Sequence, residues 1–297
     1  YTIDDYILSA KSCSDKIKEK YPQIKTGVVA APLGKREGHR HNVWNDRVSE
    51  LDFYDAIIIH SYAKVTKGKD EYGQMISEIV EGKNKTEAFE IYKNRAIDYL
   101  VNQYPKEVQT YKGIFNKPIW VTEWNLQMSK TTGNTLLQSL FVAHYLLELM
   151  SNPDLSSIEL TTYHNLGGRD FSGSIFRNNK EEMEIQSTYH PMVMIGKIVQ
   201  LDNFRIEIKL IKNLIFKYKI YSGEWMRYQI VINWSDKIYQ NRNKPYKPVA
   251  IKTNCSDNLF DRANTKGDLK VKSYNINSDF MVECLPYSIT LTTYIID

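Results

Sequence analysis

Apolar runs alternate with amphipathic helical segments through the first two thirds of this 297-residue chain. Each run is short and rich in apolar residues, as expected of a strand buried on both faces. The runs lie at residues 24–31, 54–62, 117–123 and 157–163. Apolar residues recur at helical spacing at about 4–21, 86–104, 135–150 and 190–200. This alternation predicts βαβ units and therefore an α/β fold with a parallel sheet.

The pattern changes after Leu201, where short stretches of alternating polar and apolar residues replace the helical spacing. These stretches predict strands at 204–211, 214–221, 226–234, 248–253, 268–274, 280–284 and 288–296. Short strands at this spacing are typical of an antiparallel β-sandwich. We therefore divide the chain into an α/β domain at 1–202 and a β-sandwich domain at 203–297.

Composition excludes several classes of protein. The net charge is only +4 and basic residues are mixed with acidic ones, which argues against a nucleic-acid binder. No run approaches the roughly 18 apolar residues of a membrane helix, so we expect no membrane span.

The three cysteines do not have metal-site spacing; Cys255 and Cys284 both fall in the β region and could pair. Because the chain starts at Tyr1 and not at Met, we expect the protein to begin upstream.

Polar residues follow the apolar body of three of the predicted strands. The triplet at 60–62 is His-Ser-Tyr, the triplet at 123–125 is Glu-Trp-Asn, and the triplet at 163–165 is Tyr-His-Asn. In parallel β/α barrels the carboxyl ends of the strands meet at one mouth, which holds the functional residues. A carboxylate for chemistry, aromatic faces for stacking and amides for hydroxyl groups are what a sugar site needs.

Each of these residues also has a simpler structural interpretation. A single glutamate at a strand end, such as Glu123, is often a surface or ion-paired residue. His60 and Tyr62 are equally consistent with hydrogen bonding and packing at the end of a strand. Trp124 is as consistent with the core as with a sugar platform. The signal at Tyr163 and His164 is weaker still.

The segment Pro-Ile-Trp-Val-Thr-Glu-Trp-Asn at 118–125 resembles the seventh strand of a large clan of retaining (β/α)8 glycoside hydrolases. This clan includes α-L-arabinofuranosidases, β-xylosidases and agarase-like enzymes. The resemblance implies that Glu123 is the catalytic nucleophile. The His-Ser-Tyr triplet at 60–62 resembles the His-x-Tyr pair of the sixth strand. Residues 21–27 resemble the approach to the fifth strand, and residues 285–290 resemble the last strand of the accessory β-domain.

The resemblance implies that residues 1–202 are the C-terminal half of a (β/α)8 TIM barrel, containing strands five to eight. In the clan the general acid/base is a Glu that follows an Asn at the end of strand four, and the sequence contains no Asn-Glu pair. We therefore expect the acid/base and the N-terminal half of the barrel to come from outside this chain, from the same precursor or from a separate chain. A half barrel alone has open sheet edges and an uncovered apolar face.

The sequence as a whole predicts a retaining glycoside hydrolase with a carbohydrate substrate, no cofactor and no metal. The predicted substrate-binding residues are His60, Tyr62, Trp124, Asn125, Tyr163 and His164. Action on polysaccharides implies a secreted, periplasmic or cell-surface location. Two alternatives remain open: a non-catalytic carbohydrate-binding or cell-surface protein on a degenerate barrel, and a β-sandwich adhesion module beside an unrelated α/β domain.

Overall fold

The computed structural model is a mixed α/β protein with a four-stranded parallel sheet and a larger antiparallel sheet. The structure describes all residues except 1, 35, 71, 169–172, 180–181, 212–213, 243–245, 247, 257–259, 263–269, 275–280 and 295–297. The chain divides into two compact units. The first comprises Tyr1–Tyr62, Val101–Trp124 and Asn152–His164, and the second comprises Ala63–Leu100, Asn125–Ser151 and Asn165–Asp297.

The α-helices of the described residues are α1 (Ile3–Lys20), α2 (Arg40–Ser49), α3 (Ile76–Val80), α4 (Lys85–Asp98), α5 (Tyr104–Phe115), α6 (Leu136–Ser151) and α7 (Tyr189–Gly196). The first strands are β1 (Gly27–Val29), β2 (Ala56–Ala63), β3 (Ile119–Leu126), β4 (Ile158–Tyr163), β5 (Gly167–Gly168), β6 (Phe176–Asn179) and β7 (Glu182–Ile185). The later strands are β8 (Phe204–Ile211), β9 (Ile215–Ser222), β10 (Trp225–Asn233), β11 (Tyr239–Arg242), β12 (Pro248–Cys255), β13 (Lys270–Tyr274), β14 (Met281–Cys284) and β15 (Ser288–Tyr294).

The four predicted strands of the α/β region form one sheet in the order β1-β2-β3-β4. The pairs β1–β2 and β3–β4 are parallel. Between β2 and β3, Ile57 N donates to Pro118 O, and further along both strands Tyr62 contacts Glu123. Since both contacts advance in the same direction along the two strands, this pair is parallel as well. The predicted parallel sheet is confirmed.

The helical segment before β3 is longer than its sequence pattern predicts. The expected helix at 86–104 corresponds to α4, which ends at Asp98 and is followed by a π-helical turn at Tyr99–Gln103. The chain then forms α5, with Pro105 in its first turn. Proline is tolerated there because the first turn of a helix has no use for its missing N–H. A second helix follows the predicted end at Tyr104.

The C-terminal region folds into antiparallel sheets. Six strands lie in the order β13-β12-β15-β10-β9-β8, and β11 pairs with β14. An apolar cluster containing Val231 and Val282 brings together side chains from both sheets. Seven predicted strands correspond to observed ones, β8 with the predicted bounds and the others with shifted ends. The ends predicted at 268–269, 280 and 295–296 lie outside the described residues.

Four short strands are absent from the sequence prediction. The strands β5, β6 and β7 form a small sheet between β4 and α7, and β11 adds an edge to the C-terminal region. These strands have two to four residues each. Such lengths contain too few positions for an alternation of period two to be recognised.

Within the second unit, α6 packs against β8, β10 and β15. Two buried hydrogen bonds also connect α6 to β9 and to the end of β10: Tyr218 Oη donates to Glu148 Oε1 at 2.8 Å, and Trp234 Nε1 donates to His144 Nδ1 at 3.2 Å. The second unit therefore contains residues on both sides of position 202. The division into domains at 1–202 and 203–297 stays a prediction.

The possible disulfide between Cys255 and Cys284 is not formed, because both sulfurs are thiols in the structure. Burial raises the pKa of the Cys284 thiol to about 12. Cys284 belongs to the apolar cluster of the C-terminal sheets and so acts as a small core residue. Among the helices of the described residues, none has the length and apolar character needed to cross a membrane.

Candidate active site

Strand β2 presents His60 and Tyr62 on one face of the parallel sheet. Successive side chains of a strand point to opposite faces, so residues two apart share a face. Ile59, Ser61 and Ala63 are buried, at 3%, 4% and 0% exposure. His60 is exposed and Tyr62 is half-buried. The apolar packing of the alternate residues therefore directs the imidazole and the phenol toward the open face.

A bulge in β3 directs Glu123 to the same side. Val121 is paired with Thr161 and Trp124 with Tyr163, so the register shifts by one residue between the two pairs. Val121 and Trp124 are both buried, although residues three apart in a regular strand would point to opposite faces. The extra residue of a bulge can redirect a side chain in this way. Glu123 is consequently left partly exposed, with 37% of its side chain accessible.

Two groups on β2 contact the Glu123 carboxylate at one oxygen. Tyr62 Oη donates a hydrogen bond of 2.6 Å to Glu123 Oε2. His60 Nδ1 lies 3.4 Å from the same oxygen. The ring of His164, at the end of β4, packs edge-on against Tyr62 with 6.0 Å between ring centroids. Residues from three neighbouring strand ends thus surround one carboxylate, as their positions at strand ends predict.

The surroundings of Glu123 favour its ionised form. The hydrogen bond from Tyr62 is the largest effect and lowers the pKa of Glu123. Burial raises this pKa by a smaller amount, and the electrostatic effects of His60 and His164, each smaller again, lower it. The pKa of Tyr62 is raised by burial and by its hydrogen bond to Glu123. At neutral pH the site therefore contains a carboxylate anion held by a neutral phenol.

Trp124 is buried, which does not agree with its predicted role of stacking against a sugar ring. Trp124 is 1% exposed, and its ring meets Tyr163 edge-on at 4.9 Å between centroids. A fully buried ring has no face to offer to a sugar. Tyr163 is half-buried and His164 is exposed at the same strand end.

Asn125 is likewise engaged within the protein. Its side-chain nitrogen donates to Gly173 O at 3.2 Å, and its side-chain oxygen accepts from Gln138 Nε2 at 2.9 Å. Gly173 has φ +76°, and a Cβ there would lie 1.8 Å from Gln138 Nε2, so this position requires glycine. The sequence gives no signal for this group, because its members are separated by 13 residues or more. Asn125, which is 1% exposed, supports local structure and is not available to a sugar hydroxyl.

Comparison with known proteins relates the chain to others through its fold. No protein-family model matches the sequence, and no curated protein matches it significantly. A GH51 alpha-L-arabinofuranosidase from Thermotoga petrophila RKU-1 aligns with a TM-score of 0.60 and 16% identity over 98% of this chain. An alpha-L-arabinofuranosidase from Thermotoga maritima, solved as an arabinose complex, aligns with a TM-score of 0.62 and 16% identity over 99% of this chain. BuGH86wt, solved with neoagarooctaose, aligns with a TM-score of 0.55 and 13% identity over 100% of this chain.

The chain spans only part of each of these proteins. It covers 62% of the Thermotoga petrophila enzyme, 63% of the Thermotoga maritima enzyme and 47% of BuGH86wt. The low identities restrict the likeness to architecture, and fold alone does not determine activity. The chain therefore has the fold of the corresponding part of these glycoside hydrolases, and its site places an oriented carboxylate at the carboxyl end of a parallel strand.

Proposed function

We propose that this chain contributes the catalytic nucleophile, Glu123, to a retaining glycoside hydrolase. The observation that carries this proposal is the hydrogen bond from Tyr62 to a partly exposed carboxylate at the carboxyl end of β3. A nucleophilic carboxylate must be ionised, fixed in direction and accessible. Glu123 meets all three requirements, because its pKa is lowered, one oxygen is held and more than a third of the side chain is exposed.

The reaction takes place in two displacements. In the first, Glu123 attacks the anomeric carbon, and an acid protonates the glycosidic oxygen as its bond to that carbon breaks. In the second displacement, the conjugate base of that acid takes a proton from a water molecule. The water oxygen then bonds to the anomeric carbon and displaces Glu123, which restores the Glu123 carboxylate. Tyr62 holds the nucleophile in position, and His60 and His164 border the same carboxylate. No step requires a metal or an organic cofactor.

The general acid/base is assigned to polypeptide outside residues 1–297. Tyr62, His60 and His164 determine the ionisation of Glu123, and none of the three is a carboxylic acid. In a retaining enzyme the two carboxyl groups lie about 5–5.5 Å apart. A further segment, from the same precursor or a separate chain, would therefore bring its carboxylate to the Glu123 side of the sheet.

The edges of the parallel sheet support the proposal that residues 1–202 are half of a (β/α)8 barrel. The order of strands leaves β1 and β4 at the two edges. Val29 on β1 is 49% exposed and Leu160 on β4 is 43% exposed, although both are apolar. Closure by four more strands would remove both edges. Residues 203–297 are proposed as the accessory β-sandwich of the same protein.

The substrate class is proposed to be a polysaccharide or an oligosaccharide derived from one, which is consistent with a secreted or cell-surface location. His60, Tyr62 and His164 are the substrate-facing residues of this proposal, with Tyr163 beside them. Trp124 and Asn125 are assigned to support of the site, since both are 1% exposed.

The proposal is tested with the protein completed by its upstream coding sequence. It is incubated with arabinoxylan, xylan and agar-type polymers, and the released sugars are followed by proton NMR from the first turnovers. We expect one of these polymers to be cleaved, with the anomeric configuration of the first product equal to that of the substrate. A first product of opposite configuration would reject the retaining mechanism.

The competing function is non-catalytic carbohydrate binding. It is favoured if the completed protein lacks a carboxylic acid at the end of its fourth strand and binds one of these polymers without cleaving it. That result would reject the catalytic role of Glu123 while leaving the fold assignment unchanged.

A further inference from the structure

A cationic pocket in the second unit is lined by none of the residues assigned to catalysis. Its volume is about 470 Å³, and four basic side chains line it: Lys83, Lys85, Lys130 and Arg262. A volume of this size is within the range of about 300–1,000 Å³ typical of ligand sites. One acidic residue, Asp261, is also in the lining, so positive charge predominates.

Three of these cations have no carboxylate partner among the residues that the structure describes. In the part of the chain that the structure describes, no carboxylate forms an ion pair with Lys83, Lys85 or Lys130. All three side chains are exposed at the pocket. The carboxylate of Asp261 accepts a hydrogen bond from the hydroxyl of Ser256 instead. Like charges gathered without counter-charges raise the local potential and attract anions.

The main chain fixes the positions of two of the basic residues. Leu136 N donates to Asp261 O at 2.9 Å, and Arg262 forms an isolated β-bridge with Thr135. The guanidinium of Arg262 also donates to Lys130 O. The segment at 260–262 is therefore tied to the residues around the start of α6, so that the arginine and Lys130 stay on the same wall of the pocket.

Aromatic rings form another part of the lining. Phe260 is half-buried and packs edge-on against Phe89 at 4.4 Å between centroids. Tyr92, on α4, also borders the pocket but is buried at 7% exposure, so Phe260 is the ring available to a sugar. A small inorganic anion needs neither aromatic walls nor this volume. A sugar ring uses both, because its C–H faces pack on aromatic surfaces, while an acidic substituent binds to lysine and arginine.

We propose that this pocket binds an acidic sugar unit, bearing a carboxylate or a sulfate ester, of a polysaccharide chain. The proposal rests on the proposed function only for its choice of a saccharide as ligand. The pocket is a binding site and takes no part in bond cleavage, so that its ligand can be tested without turnover.

The test measures binding by isothermal titration calorimetry at low ionic strength. The probes are an oligogalacturonate tetramer, a sulfated galactan tetrasaccharide, an uncharged galactan tetrasaccharide and inorganic sulfate. The variant is the double substitution Lys85→Glu and Lys130→Glu, which reverses two exposed charges of the pocket. The matched control is Lys16→Glu with Lys106→Glu, which reverses two exposed lysines outside the pocket.

We expect at least one acidic probe to bind the wild type at least tenfold more tightly than the uncharged galactan and inorganic sulfate. The pocket variant should lose at least tenfold of that affinity, and the control should retain it. Because the attraction is electrostatic, 0.5 M NaCl should weaken binding to the wild type as well. The salt measurement needs no substitution and so does not depend on the folding of a variant.

Three results would overturn the proposal: no binding of either acidic probe, equal binding of inorganic sulfate, or an affinity unchanged in the pocket variant. Hydrolysis of uncharged polymers is measured separately. If the wild type binds neither acidic probe but hydrolyses a polymer, the pocket proposal alone is rejected. If the wild type binds an acidic probe but hydrolyses no polymer, the proposed activity alone is rejected.

Discussion

At the scale of single residues, the site depends on the pair formed by Glu123 and Tyr62. A tyrosine hydroxyl that donates to a carboxylate stabilises its charged form and fixes its direction. Both effects are present at 2.6 Å between the two oxygens. His60 adds a second polar group at 3.4 Å, so the carboxylate is constrained through one oxygen while the other is available for chemistry.

Substitution of Tyr62 by Phe should move the acidic limb of the activity profile. The hydrogen bond from Tyr62 is the largest cause of the lowered pKa of Glu123, so its loss raises that pKa. The nucleophile then becomes protonated at a higher pH, and kcat/KM falls earlier as the solution is acidified. The measurement is kcat/KM against pH for the completed protein, with Tyr21→Phe as an exposed control. An acidic limb at the wild-type position would show that the phenol does not set the ionisation of Glu123.

The buried Lys217, on β9, leads us to predict a pH dependence of the free energy of unfolding. Its ammonium donates to Asn241 Oδ1 at 2.6 Å, and burial lowers its pKa from 10.5 to about 8. Between these two pH values the unfolded chain binds the proton and the folded chain does not. The free energy of unfolding therefore gains a contribution that rises with pH across this window.

The comparison that isolates this effect is urea unfolding of the wild type and Lys217→Met at several pH values from 7.5 to 10.5. The free energy of unfolding of the wild type minus that of the variant should increase with pH. Lys16→Met, at an exposed lysine, provides the control for removal of a charge. A difference that is constant or falls with pH contradicts the lowered pKa.

At the scale of elements, the sequence predicts the strands of the site better than the helices between them. Each strand of the parallel sheet corresponds to a predicted strand, and three of the four are followed by polar residues, so the positions of His60, Tyr62, Glu123 and His164 at strand ends were predictable. The course of the chain near Tyr104 was not predictable from the sequence. Pro105 indicates that a helix ends before it, whereas in the structure Pro105 lies in the first turn of α5. The burial of Trp124 and the bonds of Asn125 to Gly173 and Gln138 depend on contacts between distant residues, which no local pattern contains.

One arginine side chain makes several hydrogen bonds to the loop after β2. Arg95, on α4, donates to four main-chain carbonyl groups, those of Lys64, Val65, Lys67 and Lys69, over distances of 2.9–3.3 Å. The carbonyl groups of an irregular segment have no partners from regular secondary structure, and here the guanidinium of Arg95 provides hydrogen-bond donors to four of them. This loop directly follows the strand that holds His60 and Tyr62.

Arg95→Met should loosen this loop without unfolding the chain. The substitution keeps an apolar stem and removes all four donors, so amide hydrogen exchange over residues 64–70 should accelerate at least about tenfold, which corresponds to about 1.4 kcal/mol of local stability. Exchange in β10, at the centre of the antiparallel sheet, should remain slow. Arg36→Met, at an exposed arginine, is the matched control. Unchanged exchange over 64–70 would mean that other contacts hold the loop.

At the scale of the whole molecule, the chain has the architecture of part of a glycoside hydrolase. It covers 62% of the Thermotoga petrophila enzyme and leaves apolar residues exposed on both edge strands of its parallel sheet. The lack of an Asn-Glu pair predicts that the acid/base lies outside this chain, and the proposed mechanism requires such a second carboxylic acid. Under this proposal the nucleophile and the acid/base belong to different halves of one barrel.

The central claim is that Glu123 is the nucleophile, and the substitution Glu123→Gln tests it most directly. The amide is nearly the same size but has no charge with which to attack the anomeric carbon. Loss of a covalent route raises the barrier by several kcal/mol, and each ~1.4 kcal/mol is about tenfold in rate. Glu159→Gln is the matched control, since Glu159 lies on the neighbouring strand β4 and contacts Lys25 and Trp120 instead.

The measurement is the initial rate of reducing-sugar release by the completed protein, together with the affinity for the same polymer. We expect Glu123→Gln to lose at least a thousandfold in rate while it binds the polymer as tightly as the wild type, and Glu159→Gln to remain active. Wild-type turnover by Glu123→Gln would contradict the assignment of the nucleophile.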